Sequence, residues 1–525
     1  MIVFFLASLL LSLIGGLLLT LILLPSLKND LQGLLLRLSA GGGLGIGLSA
    51  CLYFVSLLTG LSGYIPPVDL AASLMLGLAG YVLLKRGRRK AECPVESQLA
   101  GRKAALPKTG SKWEIGIAVL FAVELLASLG SFLVAFLKEP HGKWDAWLIW
   151  NMHARFLYRS GEAWREVFSA GMDWSHWDYP LLLPLSIVRS WKYIGNESAY
   201  IPAAFALLFT LLTLGLLLGA LMFLRSRIQG YLAAMVLLGT PFFIMMGASQ
   251  FAEVPLAFFM LATLALLFLP ARFPENRSGA LVLAGIAAGL CAWTKNEGLL
   301  FLLIVTGALF GTALHAAGWG SARRQTVRFL AGALPILLIV LYFKTQIAPA
   351  NDLMEGFGLA AAAAKLTDFS RYAEIAKAFF ISGIGFTQGL TDIRVGTRLH
   401  PGAVSILLMI LYLLLSGARI DDGDRTGLVR TAAVLLLMPA GYFFVYVLTP
   451  LDLGYHLATS LNRLFLQLWP SAIFLFFMIA DAPERAPAAG ERSGPGSRRP
   501  KTRTARLLRE HPGSRNRKSP KSFPL

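Results

Sequence analysis

At 525 residues, 56% of them hydrophobic and only 15% charged, the chain is too apolar for a soluble domain of its size and implies a polytopic helical membrane protein. Its net charge of +19 sits in short basic segments between apolar stretches and in the tail. That is the distribution the positive-inside rule produces, and it argues against nucleic acid as a partner.

A hydrocarbon core about 30 Å thick takes roughly 20 apolar residues per helix. Thirteen stretches answer to that: 2–24, 40–60, 67–84, 114–137, 199–223, 231–248, 254–270, 279–293, 298–315, 328–347, 402–418, 428–448 and 464–480. The first lacks a basic leader and outruns a signal-peptide core, so it reads as a retained span. Inside the second, "GGGLGIG" at 41–47 predicts close helix packing and not a nucleotide loop. The eighth is short enough to be bent or partly re-entrant. No period-two pattern of barrel strands is present. Cys51, Cys93 and Cys291 lack metal-like spacing, and no Walker, Rossmann, HExxH or CxxC pattern occurs.

The loops give an orientation. Residues 85–113 form a basic loop, entered through "LKRGRRK" at 84–90. Arg225 and Arg227, then Arg323, Arg324 and Arg328, then Arg425 and Arg430, fall on the same side, as does the tail at 481–525. The rule puts that side in the cytoplasm, with the N-terminus outside and the C-terminus inside. The tail, rich in Arg, Lys, Pro, Gly and Ser, is expected to be disordered and to lie on anionic headgroups. The opposite side receives 138–198, 249–254, 294–298, 348–401 and 449–464. It carries nearly every unusual polar constellation, which packing alone does not require.

The first of these is "KWDAWLIWN" at 143–151. Trp147, Trp150, Ala154, Leu157 and Tyr158 follow helical spacing, as in an amphipathic helix lying in the interface. Asp145 falls near that helix start, where it is either a chemical group or a plain N-cap. "DWSHWDYPLLLPL" then offers His176, Asp178 and Tyr179 ahead of Pro180 and Pro184; an irregular interfacial loop reads the same way. Glu253 heads an apolar run, where an acid is costly unless paired or facing a polar cavity. A helix-start acid is the plain alternative. Lys295 and Glu297 stand between two spans, as a snorkelling pair or as a group facing Glu253, Asp145 or an anion. Asp452, His456 and Arg463 flank the last span, and arginine suits phosphate through its paired donors. Snorkelling to headgroups is again the plain reading.

In their order, these motifs resemble the GT-C superfamily of integral-membrane glycosyltransferases, in particular bacterial dolichyl-phosphate-mannose-protein mannosyltransferase-like members, over about 114–480. Asp145 in "KWDAW" matches the acidic residue of the first outer loop, and "HWDYPLLLPL" loosely matches a "HPPL"-like element. Glu253 in "FAEVPLAFF" matches the later acid. "TKNEGLLF" matches the "R-x-E-G" element with Lys295 for arginine, and Arg463 the late arginine.

The resemblance implies an all-α GT-C-like bundle of about thirteen transmembrane helices in the cytoplasmic membrane, with interfacial helices in the loop 138–198. Its active face would be periplasmic or extracellular. The donor it implies is a polyprenyl-phosphate-linked sugar, and the acceptor a lipid, a glycan or a protein. Asp145 would be the base, with Glu253 as the second catalytic acid. Lys295 and Arg463 would hold phosphate, and His176, Asp178, Tyr179 and Glu297 would complete the substrate site. It fixes no cofactor. A lone Asp145 stands where many members pair two acids, which leaves a divalent metal open. Residues 1–84 add three spans that the family does not explain, and no soluble outer domain follows the last span. A transporter or flippase of lipid-linked sugars and a non-catalytic assembly subunit are the rival readings.

Overall fold

The computed structural model describes residues 1–27, 30–91, 112–169, 175–350, 358–385 and 401–482. The tail expected to be disordered, Cys93 and most of the loop 85–113 lie outside the described residues. The helices are, in order, α1 (Ile2–Leu23), α2 (Leu31–Leu58), α3 (Ile65–Ala91), α4 (Lys112–Lys138), α5 (Asn151–Arg159) and α6 (Leu182–Ile194). Then come α7 (Tyr200–Leu224), α8 (Arg227–Leu238), α9 (Pro241–Ala248), α10 (Glu253–Leu266), α11 (Leu269–Arg272) and α12 (Arg277–Thr294). The last six are α13 (Glu297–Gln346), α14 (Leu359–Thr367), α15 (Phe369–Gly385), α16 (Pro401–Ser416), α17 (Arg425–Leu448) and α18 (Leu453–Ile479).

Among the described residues ten helices are long and apolar enough to cross a membrane, or eleven if the bent pair α8 and α9 is one span. The protein is therefore an all-α polytopic membrane protein. Every residue of α10 is buried, which puts it at the centre of the bundle. On α4, by contrast, Val119, Leu126 and Leu133 are exposed, as a lipid-facing helix requires.

Several boundaries depart from the sequence expectation for local reasons. Helix α2 starts well before residue 40. Asp30 caps it through Gly33 N at 2.8 Å, and the buried Arg37 donates to the carbonyls of Leu24 and Leu27 at 2.8 and 2.6 Å. Its charge therefore does not end the apolar element. Helix α18 starts at Leu453 instead of 464, because Asp452 accepts from Tyr455 N at 2.8 Å and caps it. The bend allowed for in the eighth stretch falls in the sixth: α8 and α9 meet at 67°, with Thr240 between them and Pro241 opening the second. Helix α12 runs unbroken. The 50-residue α13 breaks at Gly318, whose φ of 73° only glycine adopts freely, between the two stretches read at 298–315 and 328–347.

The glycines of α2 act as expected. A Cβ at Gly16 would lie 1.8 Å from the carbonyl oxygen of Gly41, and one at Gly45 only 2.0 Å from that of Ser12. Glycine thus lets α1 and α2 touch backbone to backbone. Residues 1–84 are also tied to the outer loop by a buried ion pair. Arg189 of α6 meets Asp69 of α3 at 2.6 Å, and Tyr193 donates to the same carboxylate at 2.6 Å. At the opposite end of the bundle Arg272 pairs with Asp424, and with Asp421 at 3.3 Å. Arg419 lies 3.3 Å and Arg225 3.8 Å from Asp421.

Candidate functional site

The site begins where α4 ends. The chain turns at Gly142, which has φ of 74° and sits so close to the α9–α10 turn that a Cβ there would be 2.6 Å from Ser249 O. Lys143 N donates to Ser249 O at 3.2 Å, and Gln250 Nε2 donates to Pro140 O at 3.0 Å. Asn151 Nδ2 completes the clamp, donating to Gln250 Oε1 at 2.9 Å and His141 O at 3.1 Å. These bonds fix the start of the outer loop against the head of α10. Asp145 is thereby placed beside Glu253.

Residues 146–150 then form a wide π-helical turn before α5, so the expected interfacial helix is interrupted at its start. Trp150, Ala154 and Leu157 are buried, whereas Trp144 and Trp147 stay exposed at its rim. Asp145 makes no side-chain cap bond. Its Oδ2 accepts from Arg463 Nη1 instead, so the N-cap reading does not describe it.

Arg463 also lies 3.6 Å from Glu253 Oε1, and Lys295 Nζ lies 3.0 Å from the same oxygen. Lys295 further meets Glu297 at 3.1 Å. Gly298 makes that turn tight: a Cβ there would be 1.9 Å from Cys291 O. The result is one chain of charges, Asp145–Arg463–Glu253–Lys295–Glu297, drawn from four separate segments. Glu253 is buried, and Asp145 keeps 23% of its side chain exposed. Burial opposes the charge of Lys295, but Glu253 and then Glu297 outweigh it and raise its ammonium above the ordinary lysine value. Glu253 Oε2 and Arg463 Nε are buried without a hydrogen-bond partner among the described residues.

The "HWDYP" turn packs against this chain. His176, at a φ of 53°, accepts from Tyr179 N at 2.9 Å and stacks on its ring at 4.9 Å. Tyr179 in turn stacks on Trp150 at 5.7 Å, and Lys295 Nζ is 6.0 Å from its centroid. Asp178 is buried, with Asn296 Nδ2 at 3.0 Å and Lys344 Nζ at 3.2 Å. The eight residues assigned to the substrate site by the resemblance thus fall in one neighbourhood. Of the other two polar residues noted near the last span, Asp452 is a cap, and His456 bonds Thr449 Oγ1 at 2.9 Å and packs on Tyr446 at 4.8 Å.

Comparison with known protein families, with curated proteins and with solved structures finds no match for this chain. Its site is therefore read from its own geometry. Among the described residues no three His, Cys, Asp or Glu side chains are grouped as metal ligands, and the acids of the site are neutralised by lysine and arginine.

Sequence reasoning missed the residues that hold the site in place. Asn151, Gln250 and Asn296 are neutral and carried no signal of their own. Lys344 ends a span, where a basic residue is ordinary. His153 was within reach, because it sits three residues after Trp150 on the face that buries Ala154 and Leu157. Its ring is fully buried, stacks on Trp177 at 3.9 Å, and bonds Ser175 O through Nε2 at 2.9 Å. Burial pulls its pKa down to about 3, against the opposing Ser175 bond.

Proposed function

We propose that the protein is an integral-membrane glycosyltransferase of the GT-C type, moving a sugar from a polyprenyl-phosphate-linked donor to a lipid, glycan or protein acceptor. The observation that carries this reading is the convergence of Asp145, Glu253, Lys295, Glu297 and Arg463 at one end of an apolar bundle. Ionisable groups at that depth are costly, and a cluster built from distant segments needs a use beyond packing. The orphaned Glu253 Oε2 and Arg463 Nε add buried hydrogen-bonding capacity that a polar substrate satisfies.

In the transfer, an acceptor hydroxyl attacks the anomeric carbon as the bond to the polyprenyl phosphate breaks. The base takes the hydroxyl proton, and the cations stabilise charge on the departing phosphate. Asp145 is assigned as base: of the two partly open carboxylates of the cluster, Asp145 and Glu297, it is the one carried on the outer loop, where it pairs with Arg463 and not with Lys295. Glu253 holds both Lys295 and Arg463 and so orients the phosphate-binding donors. Asp178, His176 and Tyr179 line the acceptor side. An open cavity of about 590 Å³ along α4, lined by Gly130, Ser131, Val134, Lys138 and Lys143, reaches to two residues before Asp145 and suits a lipid chain.

The topology that goes with this reading counts α8 with α9 as one span, α13 as two, and α16 as a span. That makes thirteen crossings, with the arginine-rich end in the cytoplasm and the acid cluster on the outer face of the cytoplasmic membrane. One observation favours a second reading. A 67° break separates α8 from α9, the short helix that precedes Gln250, and broken helices are a feature of transporters. Incubating purified protein in liposomes with a radiolabelled lipid-linked sugar separates the two. Sugar transfer to an acceptor supports the enzyme, and transbilayer movement without transfer supports the transporter.

A further inference from the structure

A second polar site lies at the far end of the bundle. Arg430, one turn into α17, is only 5% exposed. Its partners are neutral: Nε donates to Thr312 Oγ1 and Nη1 to Leu267 O, both at 3.1 Å. The acids close to it in sequence, Asp421 and Asp424, are taken by Arg272. Among the described residues no carboxylate forms an ion pair with Arg430. Neutral partners satisfy some of its donors, as two carbonyls do for Arg37, but they leave its buried charge unbalanced, and beside an open cavity an anion supplies the missing charge.

The place for that anion is present. Arg430 opens on a cavity of about 180 Å³ whose polar wall is Arg277, Ser321, Gln325 and Thr426. Leu267 and Phe268 form its apolar wall, and among the described residues no acidic side chain lines it. Gln325 Nε2 donates to Ser321 Oγ at 3.0 Å. Arg277 is exposed at the start of α12, whose 18 residues span about 27 Å and end beside Lys295. That length is close to the hydrocarbon thickness of a bilayer, so the cavity lies at headgroup depth on the face opposite the acid cluster.

We infer that Arg430 and Arg277 bind the phosphate of an anionic phospholipid headgroup in this cavity. Arginine presents paired donors to phosphate oxygens, and a basic pocket between helices at headgroup depth suits an anionic lipid. The site stands apart from the acid cluster and does not rest on the transfer reaction.

The test is the melting temperature of the purified full chain in neutral detergent, titrated with dioctanoyl phosphatidylglycerol, dioctanoyl phosphatidylcholine or inorganic phosphate. Saturable stabilisation by phosphatidylglycerol, at least tenfold weaker with phosphatidylcholine and in Arg277→Gln, is expected. Inorganic phosphate that reproduces the effect, and loses it in Arg277→Gln, supports the site but makes free phosphate its ligand. Arg430→Gln is expected to abolish the response. Should that variant not fold, Arg277→Gln decides alone, since its side chain is exposed. Phosphatidylglycerol affinity that is unchanged in Arg277→Gln overturns the inference, as does the absence of any anion response in the unaltered chain.

Discussion

Replacing Glu253 by glutamine probes the centre of the charge chain. The substitution keeps the shape and removes the negative charge that Lys295 and Arg463 share. Their side chains are only 8% and 19% exposed, so water replaces little of what is lost. Breaking a buried pair by removing one partner costs about 3–5 kcal/mol. Glu297 remains 3.1 Å from Lys295 and Asp145 remains on Arg463, so the loss falls near the lower end, about 3 kcal/mol. Adding Lys295→Met then removes one stranded cation, and the double variant should regain about 1–3 kcal/mol over the sum of the two single losses. Equilibrium denaturation of the purified protein in mixed micelles measures all four corners of the cycle. A Glu253→Gln variant within about 0.5 kcal/mol of the unaltered protein, or strict additivity of the two changes, would refute the coupling.

His153 sets an acid limit on stability. Its folded pKa of about 3 lies below the unfolded value of 6.5, so the unfolded chain binds the extra proton between those two values. The contribution is complete above pH 6.5 and is lost as pH falls toward 3. By pH 5 the loss is about 2 kcal/mol. His153→Phe should flatten the fall in melting temperature between pH 7.5 and 5; equal falls in both proteins would count against this assignment. Gly142→Ala combines a left-handed backbone, costing about 1–2 kcal/mol, with overpacking against Ser249 O, costing about 1–3 kcal/mol. It should lower the melting temperature and displace Asp145 from Glu253, seen as a loss of transfer larger than the loss of folded protein.

Much of the bundle is legible in the sequence because lipid imposes one rule on every span: a run of apolar residues long enough to cross. The misplacements occur where polar chemistry is hidden inside the element. Arg37 is absorbed by two carbonyls, so α2 continues through it, and the polar first third of α18 is helical because Asp452 caps it. The run at 231–248 is apolar on both sides of Gly239, Thr240 and Pro241 and long enough for one span, so its length outweighed the break that Pro241 marks. Asp145, Glu253, Lys295 and Arg463 stand out one by one, as charges at the edges of apolar stretches. Their pairing depends on Gly142, Gln250 and Asn151 folding the loop back onto α10, and neutral residues give no such signal. The tie between residues 1–84 and α6 escaped for another reason: Asp69 and Arg189 are far apart in sequence and each reads as an interfacial charge.

The decisive assay is transfer of radiolabelled sugar from a polyprenyl-phosphate donor by the purified chain and by its Asp145→Asn variant. Asp145 lies at the partly open edge of the cluster, so the variant should remain folded. The predicted result is transfer by the unaltered protein and a fall of about 100-fold or more in the variant, the range expected when a general base is removed. Transfer at an undiminished rate by folded Asp145→Asn protein would mean that Asp145 is not the base.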